Sequence, residues 1–381
     1  MDSFKNSLDA VSVTRAVEDG IKLFSNEIEC ECVPLADGGE GTLETLIKAT
    51  NGKCFEVDVE DPLGRKIKGK YGILGDHRTA VVEMAQASGI ELLSSDEKNP
   101  MKTSTLGTGE LIIEALKNDI DSMILTIGGS ATNDCGAGMA SVLGYAFEDN
   151  SGREVYPCGG ELGKVTNIVV DQNKINRLRR CEFLVACDVK NVLCGKNGAS
   201  FTYAPQKGAD SKMVEVLDKN LKSFSIVIKE KLGVDISEIP GSGAAGGLGG
   251  GAVAFLNARI CPGFDLVSGL LNLEDKISSA DLVITGEGMM DSQTAMGKTP
   301  YGVAVMAKKY GIPVIGICGN MGSGCDKLFE IGIDSIFSIV PGPVTLDNAI
   351  QNAYEYTRDT ANRVIRLYCA KKKKDLAQRK K

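Results

Sequence analysis

The sequence predicts an α/β protein of two domains, a discontinuous domain built on a parallel sheet and a mixed-sheet α/β domain inserted in it. Three observations carry that reading. The chain has 381 residues, more than one hydrophobic core usually organises. Near both ends, short apolar runs alternate with segments of helical period, the pattern of parallel βα units. In between, residues 55–83 read as strands joined by turns without intervening helices, which predicts an antiparallel or mixed sheet. The expected boundaries give residues 1–62 and 281–381 to the parallel-sheet domain and 63–280 to the insertion, with 104–145 able to belong to the first.

The elements follow in order. Residues 8–24 place Val13, Ala16, Val17, Ile21 and Phe24 on one helical face, with Asp9 and Asp19 on the other. Residues 29–35 alternate as a short strand, and the glycine loop 36–42 then opens a helix over 43–49. After the hairpin region, 111–118 is helical, and 123–127 is an apolar strand running into Gly128-Gly129-Ser130-Ala131-Thr132-Asn133-Asp134. Another strand spans 183–189 and carries Asp188 at its end. Beyond the glycine-rich stretch 241–251, strands at 282–285, 313–318 and about 335–340 alternate with helices at 300–310 and 347–368.

Composition narrows the function. No run approaches the roughly 18 to 20 apolar residues that span a bilayer, and Met1 is followed at once by Asp2-Ser3-Phe4-Lys5 rather than a signal peptide. A cytoplasmic protein without membrane partners is expected. The twelve cysteines are scattered with no Cys-x-x-Cys pair, so they read as reduced packing thiols. His77 is the single histidine, in a turn-like segment, which leaves no histidine cluster. Net charge is −7, yet the last eleven residues carry +6, so the body stands at −13. Nucleic acid is not an expected partner of such a body. The basic tail reads as a solvated, disordered end.

Four loops, at 36–42, 128–134, 241–251 and 286–291, combine glycines with carboxylates or hydroxyls beside apolar segments. Glycine lets backbone N–H groups approach an anion closely, carboxylates can hold Mg²⁺, and lysine can reach phosphate oxygen. Strand carboxyl ends share one edge of a parallel sheet, so such loops can converge. Phosphoryl transfer needs this positioning and a carboxylate to take the nucleophile's proton. The acids at strand ends are Asp37, Asp134, Asp188, Glu287 and Asp291, with Asp188 the best placed as base. Asp134, Glu287 and Asp291 read as metal or phosphate-side groups, and Lys5, Lys207 and Lys298 as cations near phosphate or substrate carboxylate. Gly241-Ser242-Gly243-Ala244-Ala245-Gly246 matches the dinucleotide fingerprint literally, but residues 234–240 before it end in proline and make a poor strand. An NAD(P)-dependent oxidoreductase is therefore the remote alternative.

Read together, DSFKNSL at 2–8, ADGGEGT at 36–42, GTGEL at 107–111, GGSATND at 128–134, ACDV at 186–189, PQKGA at 205–209, GSGAAGG at 241–247 and ITGEG with DSQT and GK at 284–298 closely resemble the bacterial-type glycerate kinase family. The resemblance implies phosphorylation of D-glycerate by ATP with Mg²⁺, mostly at the 2-hydroxyl. It implies that glycerate meets Ser3, Lys5, Asp37, Asp188, Asn191 and Lys207, with Asp188 and Lys5 catalytic. Nucleotide phosphates would meet Gly128, Gly129, Ser130, Thr132, Asn133, Gly243, Gly246, Gly286, Gly288 and Lys298, with metal at Asp134, Glu287 and Asp291. Three departures stand out. Met1 directly precedes Asp2 where the family has an apolar strand and a proline, so the first strand of the Rossmann-like sheet is expected to be missing. Met289 stands where arginine is usual, and Cys135 and Val192 replace glycine and proline. A catalytically impaired glycerate- or nucleotide-binding homologue is thus the nearer alternative.

Overall fold

The computed structural model describes residues 1–36, 38–39 and 41–379, with side chains described as far as residue 370. Contacts divide it into two units, Met1–Asp37 with Phe264–Lys381, and Gly38–Gly263. Residues 38–62 fall in the second unit rather than with the amino terminus, and 264–280 in the first. The reason for the former lies in packing: the helix Thr42–Thr50 lies on the hairpin strands, where a side chain at Gly72 would collide with Ile47 and Leu43. Residues 104–145 also lie in the second unit.

In Gly38–Gly263, β1 (Lys53–Glu60), β2 (Lys66–Ile73) and β3 (Thr79–Glu83) pair antiparallel. Beyond β3 the sheet turns parallel through β4 (Ser122–Thr126), in register Val82 with Leu125. A small antiparallel pair, β5 (Tyr145–Glu148) and β6 (Asn167–Val170), stands apart, while β7 (Glu182–Ala186) and β8 (Arg259–Cys261) complete the order β1-β2-β3-β4-β7-β8. The expected mixed sheet is present. The strands are short and apolar in the middle, with β3 buried throughout, because helices cover both faces of its parallel part. Val82, Met123, Leu125, Val185, Phe224 and Leu248 belong to one core.

In the other unit, β9 (Val283–Met290), β10 (Val314–Met321) and β11 (Ser335–Ser338) form a parallel sheet of order β11-β10-β9. The helix Ala10–Lys22, capped by the Asp9 side chain on Ser12 N–H, packs on the long helix Ala353–Arg379. Gly20 permits the approach, since a Cβ there would stand 2.1 Å from Arg358 O. That long helix is assigned as far as Arg379.

Residues 29–35 form no strand, and the reason is visible beside them. Met1 accepts from Leu35 N–H at 2.8 Å and donates its amine to Val33 O at 3.1 Å, while Asp2 N–H donates to Gly286 O at 2.9 Å. Residues 1–2 thus bridge β9 and the 33–35 segment in a parallel-ladder pattern. Alongside residues 28–32 and 282–284 the ladder stops, and a groove of about 1180 Å³ lined by Val17, Ile21, Ile28, Leu282, Ile284 and Ile365 lies between them. Residues 29–32 stay unassigned.

Candidate active site

In Gly38–Gly263 the carboxyl ends of β3, β4, β7 and β8 share one edge, since these strands run parallel. The loops leaving them meet closely. A Cβ on Gly38 would stand 2.8 Å from that of Ala186 and 3.3 Å from Gly263 Cα, and one on Gly128 would stand 3.3 Å from Gly39 Cα. Asp188 lies two residues beyond β7, exposed, and accepts from Gly263 N–H at 2.8 Å. Asn191 holds its own loop: its amide donates to Asn197 O at 2.7 Å and its carbonyl oxygen accepts from Tyr203 hydroxyl at 2.7 Å.

The 128–134 loop divides in two. Gly128 and Gly129 are accessible, with Gly129 left-handed at φ 73, whereas Ser130, Thr132, Asn133 and Asp134 are buried. Asp134 accepts from Thr105 N–H at 2.8 Å, Thr105 hydroxyl at 2.7 Å, Gly136 N–H at 3.0 Å and Gly138 N–H at 3.2 Å. Burial raises its pKa, and those donors oppose the rise. Enclosed by four donors, its carboxylate anchors the loop. Thr132 Oγ1, Asn133 Oδ1 and Ser242 Oγ are buried with no hydrogen-bond partner among the described residues.

Gly243 and Gly246 are buried as well, and their need for glycine comes from packing. A Cβ at Gly243 would stand 2.1 Å from Val192 O, and one at Gly246, left-handed at φ 68, 2.1 Å from Thr132 O. Backbone bonds from Gly243 N–H to Asn191 O and from Cys135 N–H to Gly246 O, both 3.0 Å, tie three loops together. The stretch before them is loop, and Ala244–Gly247 is a 3₁₀ turn leading to the helix Leu248–Leu256. The dinucleotide fingerprint lacks its strand, and the oxidoreductase alternative loses its structural context. Lys207, expected against glycerate, is 1% exposed; its ammonium donates to Ser130 Oγ and Thr132 O, each at 2.6 Å. Burial lowers its pKa to about 7, with Asp134 acting in the opposite direction. As placed, it reaches the loop from inside and not a solvent-borne substrate.

The other unit carries Ser3, Lys5 and the 286–298 segment. Gly286 is buried where a Cβ would stand 1.9 Å from Ile317 O, so it serves strand packing, while Gly288 lets the backbone of Phe4 and Lys5 pass at 3.1 to 3.5 Å from its Cβ position. Lys5 is exposed and Ser3 half-buried. Glu287 accepts from Thr294 hydroxyl at 2.6 Å and pairs with Lys298 at 3.4 Å. Burial raises its pKa first of all; Thr294 and Lys298 lower it, and the charge of Asp2 raises it further. Asp291 accepts from Gln293 N–H at 2.7 Å. Among the described residues no group of three or more acidic, cysteine or histidine side chains is set to hold a metal. Asp37 lies outside the described residues.

Sequence reasoning missed two carboxylates. Glu83, 2% exposed at the end of β3, accepts from Gly41 N–H at 2.9 Å and Leu43 N–H at 3.3 Å, capping the helix Thr42–Thr50. A charged residue closing an apolar strand was the available signal. Asp2 accepts from Thr299 hydroxyl at 2.7 Å at the start of the helix Thr299–Lys309.

This arrangement has relatives. The model of the glycerate kinase family matches residues 1–369. The chain belongs to the glycerate kinase family. A glycerate kinase of Halalkalibacterium halodurans is 45% identical over 364 residues, covering 95% of each chain. A glycerate 2-kinase of Escherichia coli is 46% identical over 354 residues, covering 93% of each. A crystal structure assigned as glycerate kinase 2 from Salmonella typhimurium LT2 superposes with a TM-score of 0.88 at 42% identity, covering 98% of this chain and 97% of the other. Cys135 is buried at φ 53, a left-handed value that glycine adopts more readily. Met289 is 48% exposed, an apolar side chain at the surface beside Gly288.

Proposed function

We propose that this chain transfers the γ-phosphoryl group of ATP to the 2-hydroxyl of D-glycerate, forming 2-phosphoglycerate and ADP. The end-to-end match to a glycerate 2-kinase, 46% identical over 354 residues, carries the reading. Asp188 is the base in this scheme. Its exposed carboxylate at the carboxyl edge of the parallel strands takes the proton of the attacking hydroxyl, and the Gly263 N–H at 2.8 Å holds its orientation. The accessible Gly128-Gly129 turn offers backbone N–H groups to phosphate oxygens, and Lys298 offers positive charge. Ser3, Lys5 and Asn191 are assigned to the glycerate side.

In this reading magnesium would lie beside Glu287 and Asp291, the carboxylates of the 287–298 segment. A magnesium ion binds few protein carboxylates and keeps water and phosphate ligands; when present it neutralises phosphate charge. The reading is tested by Asp188→Asn, which keeps an acceptor for Gly263 N–H. ADP formation with D-glycerate should fall by about 10²- to 10⁴-fold without a change in the melting temperature, and NMR of the wild-type product should show the 2-phosphate. Near wild-type turnover would remove Asp188 from this role.

A second reading is favoured by the exposed Met289: the chain binds its ligands but turns over weakly. Substrate binding by calorimetry alongside negligible ADP formation would support it.

A further inference from the structure

Lys207 is the one lysine or arginine buried among the described residues, and the reaction above leaves its place unexplained. It closes the short 3₁₀ turn Pro205–Lys207, and its backbone is fixed on both sides. Lys207 N–H donates to Ala204 O at 3.0 Å, Ala209 N–H donates to the same oxygen at 3.1 Å, and Gly208 is left-handed at φ 95. Ala204 in turn packs with Val214 and Leu217. The side chain therefore leaves a rigid base, and losing its rotamer freedom on binding a ligand is not an added cost.

What it reaches is the inner half of the 128–134 loop. Neutral groups pin the neighbouring positions: Ile90 N–H on Gly129 O at 2.8 Å, Ala131 N–H on Ser88 O at 2.9 Å, Thr103 hydroxyl on Ala131 O at 2.9 Å, and Asn133 amide on Ser200 hydroxyl at 3.1 Å. The Ser130 hydroxyl and the Thr132 carbonyl go to the ammonium. Charge-assisted bonds of this kind are about twice as strong as neutral ones, but burying an ammonium has a large desolvation cost. A neutral amide would fix the same acceptors more cheaply. Charge is the property an amide lacks; burial loosens the hold of Lys207 on its proton and a phosphate anion at the loop would tighten it, and the group lies behind a loop whose outer residues, Gly128 and Gly129, are open to solvent.

We propose that Lys207 is a positioning residue for the polyphosphate of the nucleotide: from beneath the loop, its ammonium holds Ser130 and Thr132 in place and makes the Gly128-Gly129 turn more receptive to negative charge. The inference rests on the reading that this turn meets the nucleotide phosphates. It replaces the expectation that Lys207 touches glycerate. Asp134, the charged group that faces the ammonium most strongly, is held by its own four donors and stays in place when Lys207 is changed.

The test uses the full chain and the variants Lys207→Met and Ser130→Ala. Calorimetry with ATP and with AMP, KM values for ATP and D-glycerate, and hydrogen exchange over residues 128–134 are measured together. Lys207→Met should weaken ATP binding by about tenfold or more, the scale of losing charge-assisted bonds, leave AMP binding within about twofold, raise KM for ATP and not for glycerate, and speed exchange at Gly129 and Ala131. Ser130→Ala should give a smaller loss of the same sign, and no further loss when added to Lys207→Met. A folded Lys207→Met protein with unchanged ATP affinity would overturn the proposal, as would a rise in KM confined to glycerate. If Lys207→Met does not fold, Ser130→Ala carries the decision, with unchanged ATP affinity counting against the proposal. A separate variant, Gly129→Val, probes the underlying reading: unchanged ATP affinity there would place the phosphates elsewhere, whatever Lys207 does.

Discussion

The loop 128–134, buried from Ser130 inward and following β4, and the half-open segment 287–298, which closes β9 and runs beyond it, both mix glycine with carboxylates, yet they are built on different principles. In the first, Asp134 is surrounded by four donors and Gly246 is pressed against Thr132 O. In the second, Glu287 is held by one hydroxyl and a long lysine contact, and Gly297, left-handed at φ 116, meets nothing within 4 Å of a Cβ position. The comparison teaches that a glycine-carboxylate signature can mark an over-determined scaffold as readily as a site that receives a ligand. Burial and the number of donors on the carboxylate separate the two.

The largest test of the contrast is Gly246→Ala. Its Cβ would stand 2.1 Å from Thr132 O at a left-handed φ, and a loss of about 3 kcal/mol or more is expected from backbone displacement and strain, read as a drop in urea midpoint. Asp134→Asn comes next. An amide cannot accept from all four donors, and the buried group left unmatched should lower stability by about 2–3 kcal/mol; an unchanged midpoint would show that the loop repacks at no cost.

Smaller effects belong to the open segment. Gly297→Ala meets open space and should lose only about 1 kcal/mol through its positive φ. A loss matching that of Gly246→Ala would erase the distinction between the two regions. Met289→Arg changes a surface side chain and should leave the melting temperature within about 1 °C, because surface substitutions typically stay within about 0.5 kcal/mol. If the added guanidinium neutralises phosphate, turnover should rise by about 10- to 10²-fold. No gain in turnover would separate the weak-activity reading from this position.

Much of the molecule was legible from spacing. Helical period over residues 8–24 and the apolar runs of β4, β7, β9 and β10 appear where the pattern placed them, because a helix face or a buried strand must be apolar whatever lies opposite. Residues 29–35 failed for a complementary reason. Their alternation is real, but a strand exists only through its partner's hydrogen bonds, and next to 29–32 there is a groove. The boundary near residue 38 was hidden too, since the helix Thr42–Thr50 announces its period but not that Gly72 makes room for it on the hairpin.

Site residues divide along the same line. The sequence by itself determined which chemical groups follow which strands: Asp188 after β7, the glycines after β4, Glu287 and Asp291 within and after β9. It also carried the family pattern across the length of the chain. Only the tertiary structure decided which of those groups face outward. Lys207 and Asp134 look like Lys298 and Asp291 as letters, but the former pair is enclosed by loops distant in sequence. Local pattern reports the type and order of side chains; desolvation and donor count arise from contacts between residues such as 105 and 134, or 130 and 207, which no local window contains.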